Sequence, residues 1–300
     1  MPRETLHQLQ APGLAPKADD AELDSLLLSS IALARPDIAE AALAEGANPN
    51  SVGSDDWTAL MLCAARGPAR LLRLLVERGA RLDDSGPDGS TALIIAAHRA
   101  RTHALCALIH EGSSLNLLNK AGETAVVEAA RLGAAGCLRA LLDAGADPNL
   151  GSDRCAPLAH AATSGSIDCL ELLLASGANV HARTHTGHTP LHTAARSGNP
   201  VAMRRLIAAG ADIEAKTRSG DRPAHFAASG GPGDPAACIE ALLDAGADLS
   251  APDCMGRSVH EVAKDCGLED LVARAYALFE ARALIALAAA PASARGPARL

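Results

Sequence analysis

Short apolar clusters alternate with polar, glycine-punctuated stretches along most of the chain, and the alternation keeps a fixed period. A glycine, usually followed by alanine, recurs at Gly46, Gly79, Gly112, Gly145, Gly177, Gly210 and Gly246, at spacings of 33, 33, 33, 32, 33 and 36 residues. Twelve residues before each lies a second small residue: Ala34, Gly67, Ala100, Gly133, Gly165 and Gly198, with Gly231 shifted by three in the last case. Two phased series mark an internal repeat whose units bury a continuous core only by stacking.

Within each unit the pattern predicts a helix, a turn, a second helix and an extended loop. The best-formed unit reads Thr189-Pro190-Leu191-His192-Thr193-Ala194-Ala195-Arg196-Ser197-Gly198, then an apolar stretch from Val201 to Ala209, then Gly210-Ala211-Asp212-Ile213. Thr189 is placed to cap the first helix, and Pro190 sits at its first position, where a missing N–H costs nothing. Gly198 and Gly210 fall where the helices must stop, a position that favours positive φ. Neither helix is long enough to stand alone, so stacking must stabilise both.

On these residues the chain resembles the ankyrin-repeat proteins, whose unit pairs a TPLHxAAxxG first helix with a GADxN loop. Variants of the first motif recur at Thr58-Ala59-Leu60-Met61, Thr91-Ala92-Leu93-Ile94, Thr124-Ala125-Val126-Val127, Ala156-Pro157-Leu158-Ala159 and Arg222-Pro223-Ala224-His225. The resemblance implies an all-α solenoid of about eight helix-turn-helix units with hairpin loops and divergent capping units at both ends. The expected units lie near 21–53, 54–86, 87–119, 120–152, 153–184, 185–217, 218–253 and 254–290, flanked by flexible segments at 1–20 and 291–300. Ser25-Leu26-Leu27-Leu28 suits an N-terminal cap, Gly230 to Pro235 reads as a loop insertion, and Leu268–Leu287 reads as a C-terminal capping helix.

Composition narrows the function. The 300 residues are 48% hydrophobic and 21% charged, an ordinary folded balance. Alanine supplies much of the apolar share and only Trp57, Phe226, Tyr276 and Phe279 are aromatic, so helices must pack through small side chains. The net charge of −8, of which residues 1–50 carry −5, excludes a polybasic nucleic-acid or membrane-surface binder. No apolar h-region follows Met1-Pro2-Arg3-Glu4, and the run Ala283–Ala290 is far short of the roughly 20 residues a bilayer requires. Eight cysteines without a CxxC pair do not form a disulfide framework, and a reducing cytoplasm is expected, of the producing cell or of a host.

Catalytic and metal chemistry find little support. GxSxG, GxxxxGK[ST], HExxH and strand-borne GxGxxG motifs are all missing. His181, His185, His188 and His192 imitate metal-ligand spacing, but the resemblance assigns the first three to a hairpin and His192 to the TPLH position, bonded back to the Thr189 hydroxyl. Cys137, Cys169 and Cys238 stand eight residues before their repeat glycine, at an apolar second-helix position, and read as core thiols. Cys155 and Cys254 fall in hairpin loops and are expected to be more exposed. Neither cofactor nor metal is expected.

In the family, hairpin tips and the exposed face of the first helices form a concave surface that grips other proteins. The residue before each motif threonine is Trp57, Ser90, Glu123, Cys155, His188, Asp221 and Arg257 in turn. The residue after the paired small positions is Ala65, His98, Arg131, Thr163 and Arg196, with Arg66 and Arg99 flanking. The candidate partner-binding set is Trp57, Ser90, His98, Arg99, Glu123, Arg131, Arg183, His185, His188, Arg196, Arg218 and Asp221. Trp57 reads either as a binding anchor or as a cover for the gap after the capping repeat. Early hairpin tips are acidic (Asp55, Asp56, Asp83, Asp84, Asp88) and later ones basic (Arg183, His185, His188, Lys216, Arg218, Arg222), which points to an acidic partner segment at units six and seven. The expected function is a monomeric, non-catalytic protein-binding scaffold, inhibitor or adaptor. The alternatives are a secreted or host-directed effector whose repeats select a target, and an enzyme or small-ligand regulator.

Overall fold

The computed structural model describes residues 19–152, 156–270, 272–274, 276–277 and 280. Residues 1–18 of the expected flexible segment 1–20, the expected tail from 291 onward, Cys155, and most of the final stretch of the expected capping helix Leu268–Leu287 lie outside these residues. Asp19 and Asp20 are described, as the cap and first residue of a helix. Fifteen helices are described, and the only extended pairings among the described residues are the isolated bridges Val52–Thr58 and Ser85–Thr91 at two hairpin loops. The chain divides into two compact halves, Met1–Ser152 and Asp153–Leu300.

The N-terminal half contains α1 (Asp20–Ala32), α2 (Pro36–Glu45), α3 (Ala59–Arg66), α4 (Ala69–Glu77), α5 (Ala92–His98), α6 (Thr102–His110), α7 (Ala125–Leu132) and α8 (Ala135–Asp143). First helices pack on first helices, α1 on α3, α3 on α5 and α5 on α7; second helices α2, α4, α6 and α8 form a parallel row behind them. The C-terminal half repeats the scheme with α9 (Pro157–Ser164), α10 (Ile167–Ala175), α11 (Pro190–Ser197), α12 (Pro200–Ala208), α13 (Pro223–Ala228), α14 (Pro235–Asp244) and α15 (Val259–Asp265).

The reason these segments are helical is local. The hydroxyls of Thr58, Thr91 and Thr124 each accept the backbone N–H three residues on, at 3.2, 3.4 and 3.2 Å. Each bond satisfies a donor that the first turn leaves unpaired. Pro190 opens α11 at its first turn, and Gly198 ends it at φ 65°. The alanine pairs Ala96–Ala97, Ala129–Ala130 and Ala194–Ala195 are all fully buried, so neighbouring first helices meet with no side chain larger than a methyl between those positions. Leucines close the second layer, among them Leu72, Leu105, Leu138, Leu170 and Leu206.

Polar bonds between consecutive loops fix the register of the stack. Asn50 donates to the Gly79 carbonyl and accepts from the Arg81 N–H, at 2.9 and 2.8 Å. Asp83 then accepts from the Ser114 N–H at 3.0 Å, and Asn116 from the Asp147 N–H at 3.0 Å. In the other half Glu214 accepts from the Asp248 N–H at 2.8 Å.

Cys137, Cys169 and Cys238 are fully buried, as the apolar position of the second helix requires, and Cys63 is buried in α3. Burial pushes the Cys63 thiol up to about 12, with Arg101 pulling the other way, and burial likewise raises Cys238 to about 12. Cys254 is exposed.

Four turns differ from the simple repeat. That of Gly67 is extended at φ −79° rather than left-handed. Ala34 and Ala100, standing where other repeats carry glycine, adopt φ of 55° and 52°. In the seventh unit Gly230 rather than Gly231 takes the left-handed conformation, at φ 78°, and α13, at six residues, stops two residues short of the equivalent end of α11. Gly231 is needed for another reason: a Cβ there would lie 2.2 Å from the Arg196 carbonyl oxygen. The insertion thus seats directly on the preceding turn, where the Asp234 N–H donates to the Gly198 carbonyl at 2.8 Å.

These geometries set opposite expectations for two substitutions. Gly231→Ala forces backbone against backbone and should cost about 2 to 3 kcal/mol. Ala100→Gly relieves a left-handed alanine, worth about 1 to 2 kcal/mol, against a smaller entropic loss, and should raise stability by about 0.5 kcal/mol. Urea denaturation midpoints of the two variants and the wild type check both signs.

Candidate functional site

Each first helix presents the same positions to the hairpin side: the residue just before its capping threonine, and the fourth and seventh residues after it. In the N-terminal half these positions converge on one open cleft of about 560 Å³. Ile94 and Ile95 form its floor, 2% and 5% exposed. Trp57, half-buried, lines the cleft together with Ser90.

The helix-end wall is built from His98, Arg99, Arg131 and a residue that the sequence reading passed over, Glu128. Glu128 stands four residues after Thr124, where the two preceding first helices carry Leu62 and Ile95, and it is only 4% exposed. Burial works against its charge, but hydrogen bonds from His98 and Arg131, and the Arg131 charge, outweigh that cost and hold the carboxyl below its usual range. His98 Nδ1 lies 2.9 Å from Glu128 Oε2, and Arg131 bonds the same oxygen. Because an ionised carboxylate only accepts, His98 donates from Nδ1. A sequence signal existed: a glutamate at an apolar stripe position, three residues before Arg131, requires cationic or donor partners.

The hairpin wall carries Asp88, Asn119, Lys120 and Glu123. Asp88 accepts the Ser90 N–H at 2.9 Å and the Ser90 hydroxyl at 2.8 Å. Burial alone would raise its carboxyl, but these bonds and Lys120 keep it low. Ser90 is thereby 5% exposed with its hydroxyl committed, so among the candidates it offers the cleft little beyond its backbone. Asn119 receives the Glu123 N–H at 2.9 Å, and Lys120 donates to the Pro87 carbonyl at 2.6 Å. Arg99 is exposed and has no carboxylate partner among the described residues.

The other six candidates lie in the C-terminal half and form no comparable cleft among the described residues. Arg183 donates to the Lys216 and Gly187 carbonyls at 2.8 and 3.3 Å, tying one hairpin to the next. Arg222 pairs with Glu214 at 2.8 Å. These two guanidiniums of the basic series therefore serve the fold, whereas His185, Arg196, Lys216 and Arg218 remain exposed. Asp221 accepts from the Ser219 hydroxyl at 2.6 Å, and its carbonyl receives His192 Nε2 at 3.2 Å.

His192 makes the bond its motif implies: Nδ1 lies 2.8 Å from the Thr189 hydroxyl and accepts the Thr189 N–H at 3.1 Å. The Phe226 ring stands edge-on to both His188 and His192, at 5.0 and 5.5 Å. Burial keeps His188 low, with the Arg196 charge adding to it. No group of histidines, cysteines and carboxylates among the described residues is arranged to hold a metal ion. No described helix is long and apolar enough to cross a membrane.

Burial lowers His192 from 6.5 to about 4, so its neutral form belongs to the folded state. The unfolded chain takes up a proton that the folded chain refuses as pH falls from 6.5 towards 4. Stability is therefore full above that window and declines within it by about 1.4 kcal/mol per pH unit. Urea denaturation across this window should give a shallower decline for His192→Gln than for the wild type.

A family model of ankyrin repeats (3 copies) matches residues 28–117, 100–184 and 177–253. The crystal structure of the human ASB11 ankyrin repeat domain resembles the chain with a TM-score of 0.65 at 25% identity, covering 72% of this chain and 96% of that one. The ankyrin repeat domain of Bcl-3, described as a unique member of the IkappaB protein family, gives a TM-score of 0.62 at 26% identity, covering 73% and 99%. No curated protein sequence matches.

Proposed function

The chain belongs to the ankyrin-repeat family, whose domains are protein–protein interaction modules, and from that premise we propose that it is a non-catalytic adaptor, scaffold or inhibitor that grips a protein partner in the cleft of its N-terminal half. One observation carries the reading. Trp57, His98, Arg99, Glu123 and Arg131, drawn from three successive repeats, line a single cleft with an isoleucine floor. A half-exposed tryptophan beside unpaired arginine is the side-chain chemistry that dominates binding hot spots. The walls are rigid helices and bonded hairpins, so little ordering entropy is lost when a partner docks.

His185, Arg196, Lys216 and Arg218 are proposed as a secondary contact for an acidic stretch of the same partner, contributing to on-rate more than to residence time. The buried thiols suit a reducing compartment, where they persist as small hydrophobes.

Affinity capture from lysate with the full chain tests the reading. Trp57→Ala and Arg99→Glu should each lose the same prey, with affinity lowered about tenfold or more. Arg73→Glu, on the second-helix face, should retain it. Prey held equally by all three variants would refute the cleft as the binding surface.

A further inference from the structure

The cleft is electrically polarised along the helix direction. At the helix ends, Arg99 and Arg131 face Glu128, leaving one positive charge in excess; at the hairpin tips, Asp88 and Glu123 face Lys120, leaving one negative charge in excess. Residues flanking each wall extend the same polarity. Arg66, one repeat back from Arg99, is exposed at the end of α3, and Asp55 and Asp56 are exposed beside Trp57. The charges that remain available differ from those that are consumed: Glu128 is covered by His98 and Arg131, whereas Arg99 has no carboxylate partner among the described residues.

The two poles are separated by α5 and the extended residues just before it. The six helical steps from Ala92 to His98 cover about 9 Å, and the two extended steps from Ser90 to Ala92 add at most about 6 Å, so the separation is about 12 to 15 Å. An extended chain advances about 3.3 Å per residue, so it covers that distance in about four residues. The apolar part of the lining is Ile94, Ile95, Ala121 and the Trp57 ring. A helical ligand, about 10 to 12 Å in diameter, would fill the 560 Å³ cleft with little more than a single turn.

Resting on the partner-binding reading above, we propose that the cleft selects an extended partner segment with an acidic and a basic residue about four positions apart and a large apolar residue between them. The carboxylate faces Arg99 and Arg131, the apolar side chain rests on the isoleucine floor against Trp57, and the cation faces Asp88 and Glu123. A segment of uniform charge meets repulsion at one pole, which makes the polarity a filter as well as an attraction.

A random 12-residue peptide library displayed on phage, selected against the full chain at low ionic strength, tests this. Wild-type protein should enrich sequences with the acidic–apolar–basic arrangement in either chain direction, and these should lose at least tenfold in affinity to Trp57→Ala. Arg99→Glu makes both poles acidic and should shift enrichment to segments basic at both ends. Glu123→Lys makes both poles basic and should shift it to doubly acidic ones. Both substitutions are at the cleft surface, and circular dichroism melts identify variants that remain folded. Trp57-dependent peptides without paired charges, or identical enrichment by the wild type and both charge variants, would overturn the proposed selectivity while leaving the cleft a binding site. Peptides that bind Trp57→Ala as well as wild type would overturn the cleft reading itself.

Discussion

Close approach between first helices is the constraint on which each half of this molecule depends. Two consecutive positions in α3, α5, α7, α9, α11 and α13 carry nothing larger than a methyl or a thiol, as at Cys63–Ala64, Ala96–Ala97 and Ala129–Ala130, and these six residues are fully buried. The helices are six to eight residues long beyond α1, too short to persist unaided, so their stability is a property of the stack. The same spacing places equivalent residues of successive helices side by side. A cleft wall is therefore assembled from one residue per repeat, and substituting one alters a local patch without redirecting its neighbours.

The fold was legible because small residues are required at fixed intervals, and a requirement of that kind leaves a phase in the sequence. Part of the site was legible for the same reason: the positions before the capping threonine and seven after it are set by helix geometry, and in the third and fourth repeats they line the cleft with Trp57. What escaped was the position four after the threonine. Glu128 looked like one charge among many, since only the folded stack reveals that His98, thirty residues earlier, stands over it at 2.9 Å. A third glycine series also went unread: Gly89, Gly122, Gly187, Gly220 and Gly256 turn the hairpin tips at φ between 76° and 87°, and Asp56 occupies the equivalent place at 57°. The shift from Gly231 to Gly230 was beyond reach, because it follows from where α13 ends.

Charge counted along a chain is not charge presented to a partner. The later hairpins look uniformly basic in sequence, yet Arg183 spends its donors on two backbone carbonyls and Arg222 is matched by Glu214. The early hairpins look acidic, yet both carboxylate oxygens of Asp83 are engaged by Ser114. A simple gradient thus becomes a smaller set of available groups. The cleft, nearly neutral when its lining is added up, is the place where opposite charges remain separated across an apolar floor.

The buried cysteines have a use that follows from their placement. Cys63, Cys137 and Cys238 belong to three different repeats, each fully covered, and burial raises the thiol of all three. A sulfhydryl reagent reaches such a group only when its own repeat opens. The molecule therefore carries an internal set of clocks, one per instrumented repeat, whose separate labelling times would record whether the array frays from its ends or opens as a block.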